Sequence, residues 1–131
     1  MGLQRLTPTG LFKPSAYTQV VVASGRRMVF IAGQVSIDAQ GKLVAPGDFA
    51  GQVTQVFANL RTALEGAGAT PADVTKITIY VVDYKPELRL LLGEARSAVF
   101  GGTLPASTLV GVQALAEPGY LIEVEAIAVI D

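Results

Sequence analysis

Apolar positions in this chain recur first with a period of two, then with a period near 3.6. The switches between the two mark out its elements. Gln19–Ala23 and Met28–Ala32 are β-branched and aromatic runs separated by Ser24-Gly25-Arg26, and they predict a strand hairpin. A short strand over Leu3–Leu6 precedes them. Residues 33–47 form a loop carrying Asp38-Ala39-Gln40-Gly41 and closed by Pro46-Gly47. Asp48 is placed to cap a helix whose apolar stripe is Val53, Val56, Phe57, Leu60, Ala63, Leu64 and Ala67, ended by Gly66 and Gly68. Thr70-Pro71-Ala72-Asp73 reads as a capped turn, and Val74–Asp83 as the clearest strand. Pro86 opens a second helix with Leu88, Leu91, Leu92, Ala95 and Val99 on one stripe, stopped by Gly101-Gly102. Ser107–Ala114 and Tyr120–Ile130 complete the strands.

The last strand has two unlike faces. Ile122, Val124, Ala126, Ala128 and Ile130 suit packing beneath helices. Glu123, Glu125, Ile127 and Val129 mix carboxylates with large aliphatics, which suits an interface or a cleft better than open water. The element order predicts one α+β domain over residues 1–131: a mixed sheet of about six strands with two helices on one face.

Composition narrows the chemistry. With no Cys and no His, there is no disulfide, no thiolate nucleophile and no imidazole base or ligand. Reaction steps fall to carboxylates, hydroxyls, Tyr, Lys, Arg, backbone amides or bound water, and no metal site is expected. A net charge of −1 without charge runs gives no footprint for nucleic acid. No apolar run is long enough for a membrane span, and residues 1–14 do not resemble a signal peptide, so a cytoplasmic location is expected. Apolar residues make up 50% of the chain and charged ones 16%, against about 25% charged in an average domain. The surplus points to surface covered by another subunit.

Six segments, in order, resemble the RidA (YjgF) family over residues 14–130. Ala16-Tyr17-Thr18-Gln19-Val20-Val21 resembles its N-terminal element, and Phe30-Ile31-Ala32-Gly33-Gln34-Val35 its Ser-Gly-Gln strand end. Residues 52–68 resemble its first helix and Thr78–Asp83 its central strand. Leu104-Pro105-Ala106-Ser107-Thr108-Leu109-Val110 and residues 122–129 resemble its two C-terminal signatures. The resemblance implies a chorismate-mutase-like fold, a homotrimer with clefts for small organic ligands between subunits, and cofactor-independent hydrolysis of reactive enamines or imines.

By the same resemblance, Glu123 would handle protons with a bound water, and Tyr17 would stand nearby. Glu123 otherwise reads as a hydrogen-bonded interface carboxylate, and Tyr17 as an interface aromatic. Gly33 would admit a ligand close to the backbone or simply end a strand, and Gln34 would orient a water. At Ser107 the chain departs from the family, whose active members carry an Arg there that clamps the substrate carboxylate. Ser107 and Thr108 offer hydroxyls and amides instead, or serve only as strand residues. One hydroxyl does not replace a guanidinium's two charged bonds, so a less anion-seeking cleft is expected. Arg61, Arg89 and Arg96 read as solvated helix residues. Residue 107 is expected on a strand beside that of Glu123, facing the same cleft. Two functions remain open: a RidA-like deaminase of altered preference, and an inactive trimeric metabolite binder.

Overall fold

The computed structural model describes residues 2–131, which form six strands and two helices. In chain order these are β1 (Gly2–Leu6), β2 (Val20–Ser24), β3 (Arg27–Gln34), α1 (Phe49–Gly66), β4 (Val74–Val82), α2 (Arg89–Phe100), β5 (Ala106–Val112) and β6 (Ile122–Ile130). Strands β3, β6, β4 and β5 lie side by side in that order, with β4 and β5 parallel and the other pairs antiparallel.

The hairpin expected between β2 and β3 does not form. Strand β2 pairs antiparallel with β1, from Gly2 opposite Ser24 to Leu6 opposite Val20, and the two make a separate ribbon. Strand β3 pairs with β6 instead. Gly25 and Arg26 turn the chain from ribbon to sheet, where the Arg26 amide donates to the Ile130 carbonyl at 3.0 Å. A Cβ at Gly25 would come within 2.6 Å of Val129 Cγ1 and 2.8 Å of the Ile130 carbonyl oxygen, so only glycine passes this corner unstrained.

Both helices cover one face of the four-stranded sheet. Val53, Val56, Phe57, Leu60 and Leu64 of α1 and Leu92 and Phe100 of α2 are buried with Ile77, Ile79 and Val81 of β4. The even-numbered residues Ile122 to Ala128 of β6 join them, as their period of two requires. Each fully buried Leu or Ile contributes about 1.5–3 kcal/mol. Asp48 caps α1, its carboxylate accepting from the Gly51 amide at 3.0 Å.

Gln52, one turn before Val56 on the apolar stripe, is also fully buried. Its amide donates to the carbonyls of Gly119 (2.9 Å) and Ala45 (3.3 Å) and accepts from the Leu121 amide (3.0 Å). A buried side chain satisfied on every side locks two loops to α1, and this is a structural role.

The opposite face of the sheet is uncovered. Phe30 and Met28 of β3 are 70% and 61% exposed and stand opposite Ile127 and Val129 of β6. Among the described residues no helix is long and apolar enough to cross a membrane.

Candidate functional site

The residues marked by the sequence fall into two groups, one on each face of the sheet. On the uncovered face, Glu123 of β6 stands opposite Tyr80 of β4, and Glu125 opposite Thr78. The register between β3 and β6 shifts between Ile31 and Gln34, and Gly33 lies in that irregularity against Glu123. A methyl group at residue 33 would overlap Glu123 Oε2, so the carboxylate occupies space that only glycine leaves free.

Partial burial raises the proton affinity of Glu123 above the usual carboxylate range, and the neighbouring charge of Glu125 adds to it. The Tyr80 hydroxyl donates to Glu125 Oε2 at 3.2 Å, and partial desolvation followed by this bond raises the phenol's pKa. Gln34 is half-buried and turns back on its own strand, its Nε2 donating to the Ala32 carbonyl at 2.9 Å. Asn59 of α1 holds the segment that follows, donating to the carbonyls of Val35 and Ile37 at 3.0 and 2.9 Å. Thr108 is exposed on the same face of the sheet and accepts from Lys76 Nζ at 2.6 Å.

Ser107 belongs to the second group. Its strand lies beside β4, not β6, and Ser107 is in register with the buried Ile77, so it faces the helices. Within one chain Ser107 and Glu123 are therefore on opposite faces. The expectation that their strands are neighbours fails for a physical reason: β5 is parallel to β4, reaching it through the α2 crossover, and β4 separates it from β6. The N-terminal element supplies the neighbour. The Thr18 amide donates to the Pro105 carbonyl at 3.0 Å, Thr18 bridges to Ala106, and Tyr17 comes to line a broad cleft of about 1270 Å³ with Ser107, Leu109 and residues of α2.

One member of that cleft corrects the sequence reading. Arg96 is not a solvated helix residue: it is 6% exposed and its Nη1 donates to Ser107 Oγ at 3.0 Å. The signal lay in the spacing, for Arg96 stands one turn from both Leu92 and Phe100 on the buried stripe of α2. Arg89 lines the same cleft from an exposed position, as does Leu90. Leu91 packs against the core instead. The cleft thus holds a buried guanidinium beside Ser107, with Glu87, Arg89 and Glu94 at exposed positions of its lining. Among the described residues no group of three acidic side chains is arranged to hold a metal ion.

A ribbon, a four-stranded mixed sheet and two helices on one face make up the chorismate-mutase-like fold. The same architecture is found in the crystal structure of the Rid family protein YyfB from Yersinia pestis, with a TM-score of 0.92 and 38% identity over 98% of this chain and 99% of that one. The family model described as endoribonuclease L-PSP matches residues 11–130, and the chain belongs to this family, the RidA (YjgF) family that its motifs resemble. A RutC family protein of Pyrococcus horikoshii is 37% identical over 112 residues, 86% of this chain and 85% of its own. The 2-iminobutanoate/2-iminopropanoate deaminase of Mus musculus is 33% identical over 113 residues, 86% of this chain and 80% of its own.

Proposed function

We propose that the protein hydrolyses small 2-imino acids, or the enamines in equilibrium with them, to 2-keto acids and ammonia. The observation that carries the reading is Glu123, a carboxylate held against Gly33 on an uncovered face with its proton affinity raised. Membership of the family and the name of the mouse relative support the substrate class. Glu123 takes a proton from a water as its oxygen adds to the imine carbon and passes it to nitrogen, giving a carbinolamine. It then takes the new hydroxyl's proton as the carbonyl forms and delivers it to nitrogen as the C–N bond breaks. Water supplies the new carbonyl oxygen, ammonia leaves, and no electrons change hands. A carboxylate with raised affinity is matched to both halves of this transfer.

Such a site needs more than one chain. Glu123 and Ser107 lie on opposite faces of one sheet, while the uncovered face bears Phe30, Met28, Ile127 and Val129 beside Glu123. A neighbouring copy seated head-to-tail would cover these side chains and bring its own Tyr17–Ser107 cleft to Glu123. Closing that contact three times gives a homotrimer with a ligand cleft at each interface. Binding of nucleic acid is not favoured. On the uncovered face an RNA backbone would meet Glu123 and Glu125, with Lys76 as the cation.

The test is ammonia release from freshly generated 2-iminobutanoate. The wild-type protein is expected to exceed the buffer rate, and Glu123→Gln to fall back towards it. Equal rates for wild type and buffer would overturn the reading. Gly33→Ala is expected to leave the fold intact but displace the Glu123 carboxylate, lowering turnover about 100-fold, since ångström misplacement of a reacting group has that effect. Steady-state kinetics of the folded variant would check it; unchanged kcat would mean that the Gly33 contact does not position the carboxylate.

A further inference from the structure

We propose that Arg96 of α2 supplies the cation for the ligand's carboxylate, in place of one on β5. This deepens the reading above and rests on it for the ligand's class. The guanidinium is buried, yet its hydrogen-bond partner is the neutral hydroxyl of Ser107. Its Nε is buried and has no hydrogen-bond partner. The ion pair among the described residues is Lys85 with Asp83, far out on the surface, and no carboxylate lies within 4 Å of Arg96. A buried cation without a counter-ion is costly, and proteins keep such groups paired.

The groups around Arg96 do not neutralise it. Tyr17 and Tyr84 offer phenols, and Arg89 is a second cation. Glu87 and Glu94 line the cleft from exposed positions without pairing with Arg96. The missing partner is an anion that enters through the cleft. Arg89, Gly93 and Arg96 lie on one stripe of α2 at i, i+4 and i+7, and all three line the cleft. A Cβ at residue 93 would meet Ala16 Cβ at 3.9 Å, on the cleft's other wall. Ser107 fits this arrangement: a long side chain at its position would fill the space that Arg96 reaches into, and its hydroxyl orients the guanidinium. A planar carboxylate that reaches the guanidinium then receives charged N–H bonds from it, which the neutral Ser107 hydroxyl does not match.

Calorimetric titration of the intact protein with 2-ketobutyrate, the product of 2-iminobutanoate hydrolysis, tests this. Wild type is expected to bind, and Arg96→Met to lose about 10- to 100-fold in affinity, the effect of removing charged hydrogen bonds. Arg96→Lys should retain part of the affinity, because an ammonium keeps the charge but not the two-bond geometry. A structural role for Arg96 would lower the melting temperature of Arg96→Met. Removing an unpaired buried cation should leave it unchanged or raised, and 2-ketobutyrate should raise it for wild type but much less for Arg96→Met.

If Arg96→Met does not fold, the Arg96 Nε–H resonance of the wild-type protein carries the test, with a shift on titration with 2-ketobutyrate expected. Equal affinity of wild type and Arg96→Met, no binding by wild type, an unmoved resonance, or tighter binding of inorganic phosphate than of the keto acid would each overturn the assignment. Glu123→Gln, which leaves the cation in place, should bind 2-ketobutyrate as wild type does. Loss of turnover with binding retained there, beside loss of binding in Arg96→Met, separates the two readings.

Discussion

Glu123→Gln is expected to lower kcat for imine hydrolysis by about 100- to 10,000-fold, the range supplied by a positioned acid/base group. The amide keeps the shape that fits against Gly33 but cannot take the water's proton. Since the carboxylate must be ionised to act as a base, wild-type activity should fall as the pH drops through the pKa of Glu123. That limb lies above the ordinary carboxylate range, because partial burial and the Glu125 charge both raise it. The variant's residual rate should lack this limb. Stability is expected to move the other way. A carboxylate whose pKa is raised on folding binds its proton more tightly in the native state, so its stabilising contribution is full at acid pH and lost as the pH rises through the folded value. At neutral pH the glutamine variant should therefore melt no lower than wild type. A variant that loses activity, loses the acid limb and keeps its melting temperature has lost chemistry rather than structure.

Phe30→Glu is expected to break the assembly. Phe30 is 70% exposed in the single chain and stands among Met28, Ile127 and Val129 on the face that carries Glu123. A buried aromatic anchor is typically worth 2 kcal/mol or more to an interface, and a carboxylate in its place is desolvated without a partner. Light scattering should report about three times 13.6 kDa for wild type and a single chain for the variant at micromolar concentration. Circular dichroism should be unchanged, because Phe30 makes no part of the core beneath the helices. A wild-type monomer, or a Phe30→Glu variant of wild-type mass, would exclude this face as the interface.

Local patterns made most of the fold legible. The period of two in β4 and β6, the stripe and Asp48 cap of α1 and the stops at Gly101-Gly102 are written within a few residues of where they act. The β2–β3 pairing failed because a turn signal shows that a chain turns, not which strand it then meets. Here Gly25 is a corner against Val129 and Ile130, more than 100 residues on. The site divided in the same way. Glu123, Gly33, Tyr17 and Ser107 were marked by motif, but which of them face each other depends on sheet order and on the parallel pairing of β5 with β4. Arg96 was missed although its spacing from Leu92 and Phe100 put it on the buried stripe, because a lone helical arginine is so commonly solvated. Its burial appears only when Ser107, eleven residues away, leaves room for it.

The claim that the site is shared between chains can be tested by mixing. Glu123→Gln lacks the proton-transfer group but keeps the Tyr17–Ser107–Arg96 cleft, and Arg96→Met keeps Glu123 but lacks the cation. Each alone should be nearly inactive on 2-iminobutanoate. Unfolded together in equal amounts and refolded, they should recover about a quarter of wild-type activity, since roughly one head-to-tail interface in four then joins an intact Glu123 to an intact cleft. Activity of the mixture no greater than the average of the two separate variants would contradict a site built from both chains.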